Sequence, residues 1–562
     1  MFWLKTKNKY AKYRFFLQLF SFSIFIPWMI FFIITSLLYI SNSTIVNIQF
    51  FKLMNIINIF VIPSLGILFF LINTFLKRLL FKKLYFEHAN IVSKVKMPNK
   101  LPKVIYVYTT HNDFMPSRLL QNMQQTYKNI EYWISDGSSN EDVSKEIVEF
   151  AQKHNVNLFK MDKPSKDKSD NLNTFLSFAY KNNLDFEYIV TGDSDVAFGE
   201  NFIEKGIKYF YTKQLNRLGW VNSFLIDYKG NNFYNSILAN IETFTNVYGA
   251  MEEQIAELAS PHMYGACSIV KKEFLLDINN GFFCDLYEDW YTRTLGIKNL
   301  WRGICSPLVL SMQSMENEVF PTLRRYMRYF DWKAKYFKTK MFNQYNDEFE
   351  KPMMGEFFDV MLYFPRVLFY ILLCCLNVFL LIVSLHNYFV PFILFSFVLI
   401  QKVFTWIFSF HLIGIKRSIV AIIFAPFWFF AHSYKKSQHW FKSVLGNKIM
   451  EFKPTRSKEK NVIKPNVWDK TKNYFFGLLI STTILLAMNF PIIYFGLEHN
   501  KFILFFFLLG NALFGYIFLG NFSVLMLFLL SKIKTSKTYS DENFVSFKKT
   551  KLIFEKWNTK IN

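Results

Sequence analysis

Two carboxylates, one residue apart, end a short apolar segment near the middle of the chain. Residues 186–195 read Phe-Glu-Tyr-Ile-Val-Thr-Gly-Asp-Ser-Asp, so a β-branched run leads directly to Asp193 and Asp195. Such a run is typical of a buried strand, and in open α/β sheets ligands bind at the carboxyl ends of strands. Carboxylate oxygens placed there suit Mg²⁺ or Mn²⁺ shared with a diphosphate. Gly-Asp-Ser-Asp is also good turn chemistry, so the segment alone leaves a plain turn and a metal site open.

Three further polar residues stand where a nucleotide could bind. Asp136 follows a predicted strand at residues 130–134 and could accept hydrogen bonds from a nucleoside, although most Asp-Gly-Ser tripeptides only reverse the chain. Lys168 and Asn173 straddle the start of a predicted helix, where a lysine can reach a phosphate. The alternative for Lys168 is a solvated lysine in a charged loop.

A second acidic pair, Glu288 and Asp289, lies at an apparent helix start. Acids in a first turn often only complement the helix dipole, but Asp289 could also be a general base that faces the metal site. Residues 321–332 then predict a basic, aromatic helix. Two kinds of role are open for its polar face. It is either a solvated or membrane-surface face, or it offers cations to a leaving diphosphate and an aromatic ring to a sugar. The candidate side chains on it are Arg324, Arg325, Arg328 and Trp332.

The elements that must position these residues are those of an α/β domain. Between residues 91 and 350, short apolar runs alternate with amphipathic stretches, which is the pattern of strands and helices in turn. Residues 103–110 predict a first strand and residues 115–125 a helix. We therefore expect acids that are far apart in the chain to meet around a divalent ion at the carboxyl ends of the strands.

The composition predicts a membrane protein. The chain has 562 residues, 52% of them hydrophobic and 20% aromatic, with 69 phenylalanines, which is too apolar for a wholly soluble protein. The net charge of +23 would ordinarily suggest nucleic acid, but Lys and Arg cluster beside long apolar runs, as basic loops do on the cytoplasmic side of a membrane. The five cysteines form no Cys-x-x-Cys pair, so neither a zinc site nor a disulfide framework is indicated.

Six apolar runs predict helices that span the cell membrane, with the α/β domain and both termini in the cytoplasm. Two runs fall in an N-terminal membrane region, residues 1–90, and four in a C-terminal region, residues 351–531, before a basic tail at 532–562. A shorter apolar run within 418–433 precedes a strongly basic stretch, so we expect it to be interfacial or re-entrant. The predicted spans are residues 15–40, 56–76, 360–385, 388–410, 474–495 and 502–530.

The order of these motifs resembles the processive family 2 glycosyltransferases, which include the synthases of cellulose, hyaluronan, chitin and osmoregulated periplasmic glucans. The resemblance covers motifs between about residues 100 and 340, together with the layout of the flanking spans. It implies a glycosyltransferase A-type α/β domain, Rossmann-like with a mixed sheet, inserted between transmembrane helices. The motifs that carry it are Asp136, Lys168-Ser169-Asp170-Asn171-Leu172-Asn173, Asp193-Ser194-Asp195, Glu288-Asp289-Trp290 and the Arg/Trp helix.

The resemblance also implies a role for each candidate. Asp289 is the catalytic base, and Asp195 is the ligand of Mg²⁺ or Mn²⁺ on the donor diphosphate. Glu288 and Trp332 bind the acceptor, which is a growing polysaccharide. The residues implied to bind the nucleotide-sugar donor are Asp136, Lys168, Asn173, Asp193 and Arg328.

The sequence departs from the family pattern at several positions. Asp331 stands where an arginine is usual, just before Trp332. Thr110-His111-Asn112-Asp113 replaces the usual Pro-x-x-Asn-Glu. These changes indicate a divergent branch, so UDP-glucose and a β-glucan product are favoured only because glucan synthases are common in the group.

The predicted function is inverting, processive, metal-dependent hexosyl transfer, with extrusion of the polymer across the membrane. The alternative is a non-processive membrane glycosyltransferase that adds one sugar to a lipid carrier or glycolipid. A transporter would require ionisable residues inside the spans, and few are found there. No nucleic-acid-binding module is recognised, so nucleic acid is not an expected partner.

Overall fold

The structure is a computed structural model that describes the α/β region and several C-terminal helices. The described residues are 86–339, scattered positions between 360 and 375, 415–446, 466–495 and 501–533. The first range has gaps at 213–214, 216, 229–231, 236, 240, 243–262, 279, 283–287 and 315–317. The predicted spans at 15–40, 56–76 and 388–410, most of the span at 360–385 and the tail beyond residue 533 lie outside the described residues.

Within the described part of the chain, eight strands form one mixed sheet in the order β3-β2-β1-β4-β7-β6-β8-β5. The β1–β2, β2–β3, β1–β4 and β6–β8 pairs are parallel, whereas β7 is antiparallel to β4 and β6, and β5 is antiparallel to β8. Because β2 lies on one side of β1 and β4 on the other, the carboxyl end of β1 is a topological switch point. The strands are β1 (Val104–Thr110), β2 (Ile130–Asp136), β3 (Asn157–Lys160), β4 (Tyr188–Gly192), β5 (Val196–Phe198), β6 (Leu218–Tyr228), β7 (Cys267–Lys271) and β8 (Arg302–Ser314).

The helices that join these strands begin with recognisable capping residues. Pro116 opens the first helix, where its missing N–H is not needed. Asn140 and Asp167 cap the second and third, because their side chains accept hydrogen bonds from the backbone N–H of Asp142 and Asp170. The helices are α1 (Pro116–Asn122), α2 (Glu141–His154), α3 (Lys168–Lys181), α4 (Phe202–Phe210), α5 (Lys272–Ile278), α6 (Glu288–Lys298), α7 (Val319–Thr339), α8 (Ile415–Trp440), α9 (Val467–Phe495) and α10 (Lys501–Lys532).

The central strand β1 is buried along its whole length because helices cover both faces of the sheet. Tyr106 and Tyr108 belong to a core formed with α1, α2 and α4. Ile105 and Val107 point to the opposite face and belong to a core formed with α3, α5 and α6. The sheet is therefore fixed from both sides, and only the strand ends and the loops are left to bind a ligand.

Helix α7 connects the sheet to the apolar C-terminal helices. Val319 and Leu323 of α7 share a core with α8 and α10, and Phe330 packs with Trp290 of α6. Two helical segments are long and apolar enough to cross a membrane, Val467–Phe490 within α9 and Phe506–Lys532 within α10. They coincide with the last two of the six predicted spans.

Most of the elements expected from the sequence are present. The predicted strands at 103–110 and 130–134 are β1 and β2, and the predicted helices at 115–125 and 321–332 are α1 and α7. The apolar run at 419–431 is part of α8, which is not among the membrane-crossing candidates of the described residues. The multi-pass layout, its orientation and the four domain boundaries stay predictions.

Candidate active site

The antiparallel pairing of β4 and β7 creates the centre of the site. Gly192, the last residue of β4, pairs with Cys267, the first residue of β7. The residues that follow β4 therefore lie beside those that precede β7, and this places the Asp193 carboxylate next to the backbone of Gly265. Helix α6 begins at the same place with Glu288 and Asp289.

Lys168 lies in the middle of this cluster, at the first residue of α3. Its Nζ donates to Asp193 Oδ1 in an ion pair and to the carbonyl oxygen of Gly265 at 2.7 Å. The Lys168 side chain is 19% exposed and that of Asp193 is 44% exposed, so a ligand at the edge of the sheet can reach both. The predicted lysine is thus bound to the predicted acid and is not a solvated loop residue.

Gly265 holds the acidic pair of α6 in position. Its N–H donates to Asp289 Oδ2 at 3.1 Å, and the N–H of Trp290 donates to Asp289 Oδ1 at 2.7 Å. A Cβ atom at Gly265 would lie only 2.8 Å from Glu288 Oε1, so a larger residue would displace the acid. Only glycine therefore allows the backbone to approach this closely.

The acids are buried near one another, which alters their protonation. Burial, and next the neighbouring Asp289, raise the pKa of Glu288 to about 8, against the opposing effect of the Lys168 ammonium. Burial also raises the pKa of Asp289, against the Gly265 and Trp290 N–H groups and Lys168. Burial lowers the pKa of Lys168, but Asp193, Glu288 and Asp289 outweigh it, and the pKa is raised. The site therefore combines a cation, Lys168, with a carboxyl, Glu288, whose raised pKa favours the protonated form near neutral pH.

Helix α7 adds an aromatic and basic wall. The phenol of Tyr329 is buried, which raises its pKa; Arg328 and Arg325 oppose the shift, and Asp289 and Asp193 add to it. Tyr329 and Phe330 also pack with Trp290 and Tyr291, which places the middle of α7 next to the start of α6. The Arg328 guanidinium lies 5.5 Å from the Tyr329 ring centroid. Trp332 is on the same helix, but its side chain is outside the described set.

The unexpected Asp331 faces away from this cluster. Its carboxylate is 1% exposed, and each of its oxygens lies 3.1 Å from Nδ1 of His439 on α8. The acid at this position therefore fastens α7 to α8, which accounts for its difference from the arginine of the resembling family.

Two predicted donor-binding residues have their polar atoms engaged within the protein. Asp136 is 2% exposed; its Oδ1 accepts from Ser138 N at 2.9 Å and its Oδ2 from Ser144 Oγ at 2.7 Å. The amide of Asn173 donates to the carbonyl oxygen of Phe282 and accepts from its N–H, both at 2.8 Å. These side chains hold the β2–α2 loop and the segment before α6, and direct contact with a donor stays a prediction for both.

Asn112 and Asp113, in the loop after β1, were noted in the sequence only as a departure from a pattern. Asn112, with φ 61°, accepts from the N–H groups of Ser139 at 3.0 Å and Asn140 at 2.8 Å. Asp113 accepts from Ser194 Oγ at 2.6 Å. The only sequence signal that these residues join neighbouring loops was their position as a polar pair just after a buried strand.

The donor set at the Asp-Ser-Asp turn fits a divalent ion. Asp193 and Asp195 lie on one tight turn, in which Val196 N donates to the carbonyl oxygen of Asp193 at 3.0 Å. Mg²⁺ and Mn²⁺ bound with a nucleotide commonly take one or two carboxylates and complete their coordination with phosphate oxygens and water. The described residues contain no group of three or more His, Cys, Asp or Glu placed to hold a metal alone. The site thus suits an ion that arrives with a diphosphate.

Comparison with known proteins identifies the domain. Residues 104–278 match the family model described as Glycosyl transferase family 2. No curated protein sequence matches this chain. The mixed sheet, with its Asp-Ser-Asp turn at the carboxyl edge, is a glycosyltransferase A-like α/β fold. Residues 104–278 are a glycosyltransferase family 2 domain.

Several solved structures match parts of this chain at low sequence identity and low TM-score. The mannosyltransferase PcManGT from Pyrobaculum calidifontis, in complex with GDP-Man and Mn²⁺, is 13% identical, with a TM-score of 0.39, over 71% of this chain and 98% of that chain. GalNAc-T7 with UDP, GalNAc and Mn²⁺ is 12% identical, with a TM-score of 0.30, over 45% of this chain and 55% of that chain. TarS of S. aureus is 15% identical, with a TM-score of 0.29, over 46% and 43% of the two chains.

Proposed function

We propose that this protein is an inverting, metal-dependent hexosyltransferase that uses a nucleotide-sugar donor and extends a polysaccharide at the membrane. The observation that carries the proposal is the cluster of Asp193, Glu288 and Asp289 around Lys168, at the carboxyl edge of a family 2 domain. Acids from β4 and α6 converge there, although they are far apart in the sequence. Such convergence is what transfer between two separately bound substrates requires.

Asp289 is the proposed general base. Its two oxygens accept backbone N–H groups, so the carboxylate is held in one orientation. It takes the proton of the acceptor hydroxyl while that oxygen bonds to the anomeric carbon, and the bond from this carbon to the diphosphate oxygen breaks. Its raised pKa makes it a stronger base than an exposed aspartate. Glu288, with a pKa of about 8, is protonated at neutral pH and can donate a hydrogen bond to the acceptor.

The leaving diphosphate requires neutralisation of its charge more than it requires an acid. Lys168 is the cation at the centre of the cluster, and Arg328 is the preferred partner on α7. Asp195, assisted by Asp193, would hold the Mg²⁺ or Mn²⁺ ion, which when bound supplies further positive charge to the diphosphate oxygens. Asp193 is 44% exposed and can turn toward the ion or the donor when these bind.

The membrane half supports an acceptor held at the bilayer. Helix α7 runs from the acidic cluster to a shared core with α8 and α10, and α10 includes a candidate span. Exposed apolar side chains on α9 suit contact with lipid, among them Ile480 at 58% and Leu486 at 67% exposure. Extrusion of the product depends on the predicted spans outside the described residues.

Membranes that contain the protein should convert a radiolabelled nucleotide sugar into product when Mg²⁺ or Mn²⁺ is added. A screen of UDP-glucose, UDP-galactose and UDP-N-acetylglucosamine, followed by linkage analysis, identifies the donor; we expect UDP-glucose and a β-glucan. The Asp195→Asn variant should be inserted in the membrane but inactive. If no nucleotide sugar is consumed, or if Asp195→Asn is as active as the wild type, the proposed mechanism is wrong.

The same experiment separates polymer synthesis from addition of a single sugar. A labelled polymer retained on a gel supports processive extension. Label extracted into organic solvent instead identifies the non-processive alternative, in which a lipid carrier or glycolipid accepts one sugar. The packing of α7 against α10 is the observation that keeps this alternative open, because it brings the site toward the bilayer in both cases.

A further inference from the structure

The Asp-Ser-Asp turn is fixed by groups to which the sequence analysis assigned no role, Asp113 and Tyr108. Its central residue, Ser194, is 6% exposed and is held through both its side chain and its backbone. Ser194 Oγ donates to Asp113 Oδ2 at 2.6 Å. The carbonyl oxygen of Ser194 accepts from the Tyr108 hydroxyl at 3.0 Å. The turn is thus fastened to strand β1 and to the loop that follows it.

Asp113 is itself held in one orientation. Its Oδ1 accepts from Thr110 Oγ1 at 3.0 Å and from His111 N at 2.8 Å, which leaves Oδ2 directed at Ser194. The Tyr108 hydroxyl in turn accepts from Met115 N at 3.0 Å. Both contacts to Ser194 therefore come from groups with fixed partners of their own, and neither can follow the turn if it moves.

These contacts cross the topological switch point. Asp113 follows β1, while Ser194 follows β4, the strand beside it. The neighbouring Asn112 reaches the opposite way and holds the N–H groups of Ser139 and Asn140 in the loop after β2. Two adjacent residues thus join the loops on both sides of the crevice in which ligands of such sheets bind.

We propose that Asp113 is a positioning residue that acts through Ser194 to fix the Asp193 and Asp195 carboxylates for the divalent ion and the donor diphosphate. This inference rests on the proposed function. The outer hydrogen-bond partners of metal ligands orient them, and their loss commonly weakens metal binding about 10- to 100-fold. Here the partner acts on the backbone and side chain of the residue between the two ligands.

The test measures Mn²⁺ binding by electron paramagnetic resonance to the purified full-length protein in detergent, with and without UDP. We expect Asp113→Ala and Ser194→Ala each to weaken Mn²⁺ binding in the presence of UDP by about 10- to 100-fold. The double variant should bind Mn²⁺ no more weakly than Asp113→Ala, because the hydrogen bond between Asp113 and Ser194 is already lost in each single variant. In activity assays, the KM for the donor should rise more than kcat falls.

Asp113→Asn distinguishes positioning from direct ligation. An asparagine can keep the geometry, since its amide oxygen can accept from Thr110 and His111 and its NH₂ group can donate to Ser194 Oγ. We expect the Mn²⁺ affinity of this variant to stay within about 3-fold of the wild type. Loss of an outer hydrogen-bond partner would instead weaken binding by about 10-fold or more. Asp277→Asn is the matched control, because its carboxylate is bonded to Trp301 and Arg217 instead.

The outcomes separate this inference from the proposed function. If the wild type binds Mn²⁺ and Asp113→Asn is as weak as Asp113→Ala, Asp113 acts by its charge and the positioning role is wrong. Ser194→Ala removes only one hydroxyl, so it tests the bond between Asp113 and Ser194 even if Asp113→Ala fails to fold. Unchanged Mn²⁺ binding in Ser194→Ala also overturns the positioning role. A wild-type protein that binds no Mn²⁺ with UDP would overturn the proposed metal site and this inference together.

Discussion

Two groups of acids at the same edge of the sheet have opposite surroundings. In the parallel half, Asp136 ends β2 and Asp113 lies in the loop after β1, and N–H and O–H groups of the protein occupy both oxygens of each carboxylate. Beside the antiparallel half, Glu288 and Asp289 are buried next to each other and to Asp193, with Lys168 as the nearby cation. The first group is held by hydrogen bonds from loops, whereas the second, in which Asp289 also accepts two backbone N–H groups, is crowded with like charge.

This difference indicates a division of labour. The Asp136 and Asp113 carboxylates are engaged in hydrogen bonds that hold loops in place. Carboxylates raised in pKa by burial and by like charges are suited to take a proton near neutral pH. Under the proposed function, the loops after β1 and β2 serve rigidity, and the acids at the start of α6 serve chemistry.

The largest expected effect separates the two groups directly. Asp289→Asn removes the proposed base and should lower kcat by about 10³-fold, within the range typical of general bases. Asp136→Asn should lose less than about 10-fold, because an amide can still satisfy Ser138 N and Ser144 Oγ. Steady-state kinetics with a labelled nucleotide sugar measure both. Equal losses would erase the distinction, and a large rise in donor KM for Asp136→Asn would show that it contacts the donor.

Removal of the central cation should shift the pH dependence of the acidic group. Lys168 lowers the pKa of both Glu288 and Asp289, so Lys168→Met should raise both pKa values further and reduce the fraction of the base that is ionised. We expect activity at pH 7 to fall by about 10²-fold, because the general base is mostly lost, and to recover partly at higher pH. The exposed Lys166→Met is the control. An acidic limb of the pH–rate profile that stays in place would contradict the electrostatic role of Lys168.

Alanine substitutions at two glycines, Gly265 and Gly137, test the two groups of acids sterically. At Gly265 an added Cβ would lie 2.8 Å from Glu288 Oε1, and at Gly137 it would lie 2.3 Å from Ser165 Oγ. Gly265→Ala should lower kcat by about 10- to 100-fold, since small displacements of catalytic groups have effects of this size. Gly137→Ala should instead raise the donor KM. The comparison would be reversed if the kcat effect followed Gly137 and the KM effect followed Gly265.

The smallest expected effect is on stability. The pKa of Glu288 is raised to about 8 in the folded protein, so the stability due to its protonation is complete below about pH 4.5 and is lost as the pH rises through about 8. Glu288→Gln removes this dependence. Relative to the variant, the wild type should lose at least about 1 kcal/mol between pH 5 and pH 8.5, since one pKa unit corresponds to about 1.4 kcal/mol. Thermal unfolding in detergent, followed across this pH range, measures the difference, and parallel curves would argue against a raised pKa.

The parallel half of the sheet could be predicted from the sequence, but the antiparallel half could not. Buried parallel strands read as continuous apolar runs, and Val104–Thr110 and Ile130–Asp136 fit that pattern. By contrast, β7 (Cys267–Lys271) and the long strands β6 and β8 were not predicted. Their pairing is non-local, so no short window of the sequence contains its signal.

The sequence by itself determined which residues could do chemistry and which segments are apolar enough for a membrane, because side-chain type, spacing and hydropathy are local properties. The tertiary structure alone decided which acids meet. It placed Lys168 between Asp193 and Gly265, engaged Asp136 in a loop, and joined Asp113 to Ser194. These outcomes depend on strand order and register, which bring residues about a hundred positions apart within one hydrogen bond, and it is this proximity that sets their charge state.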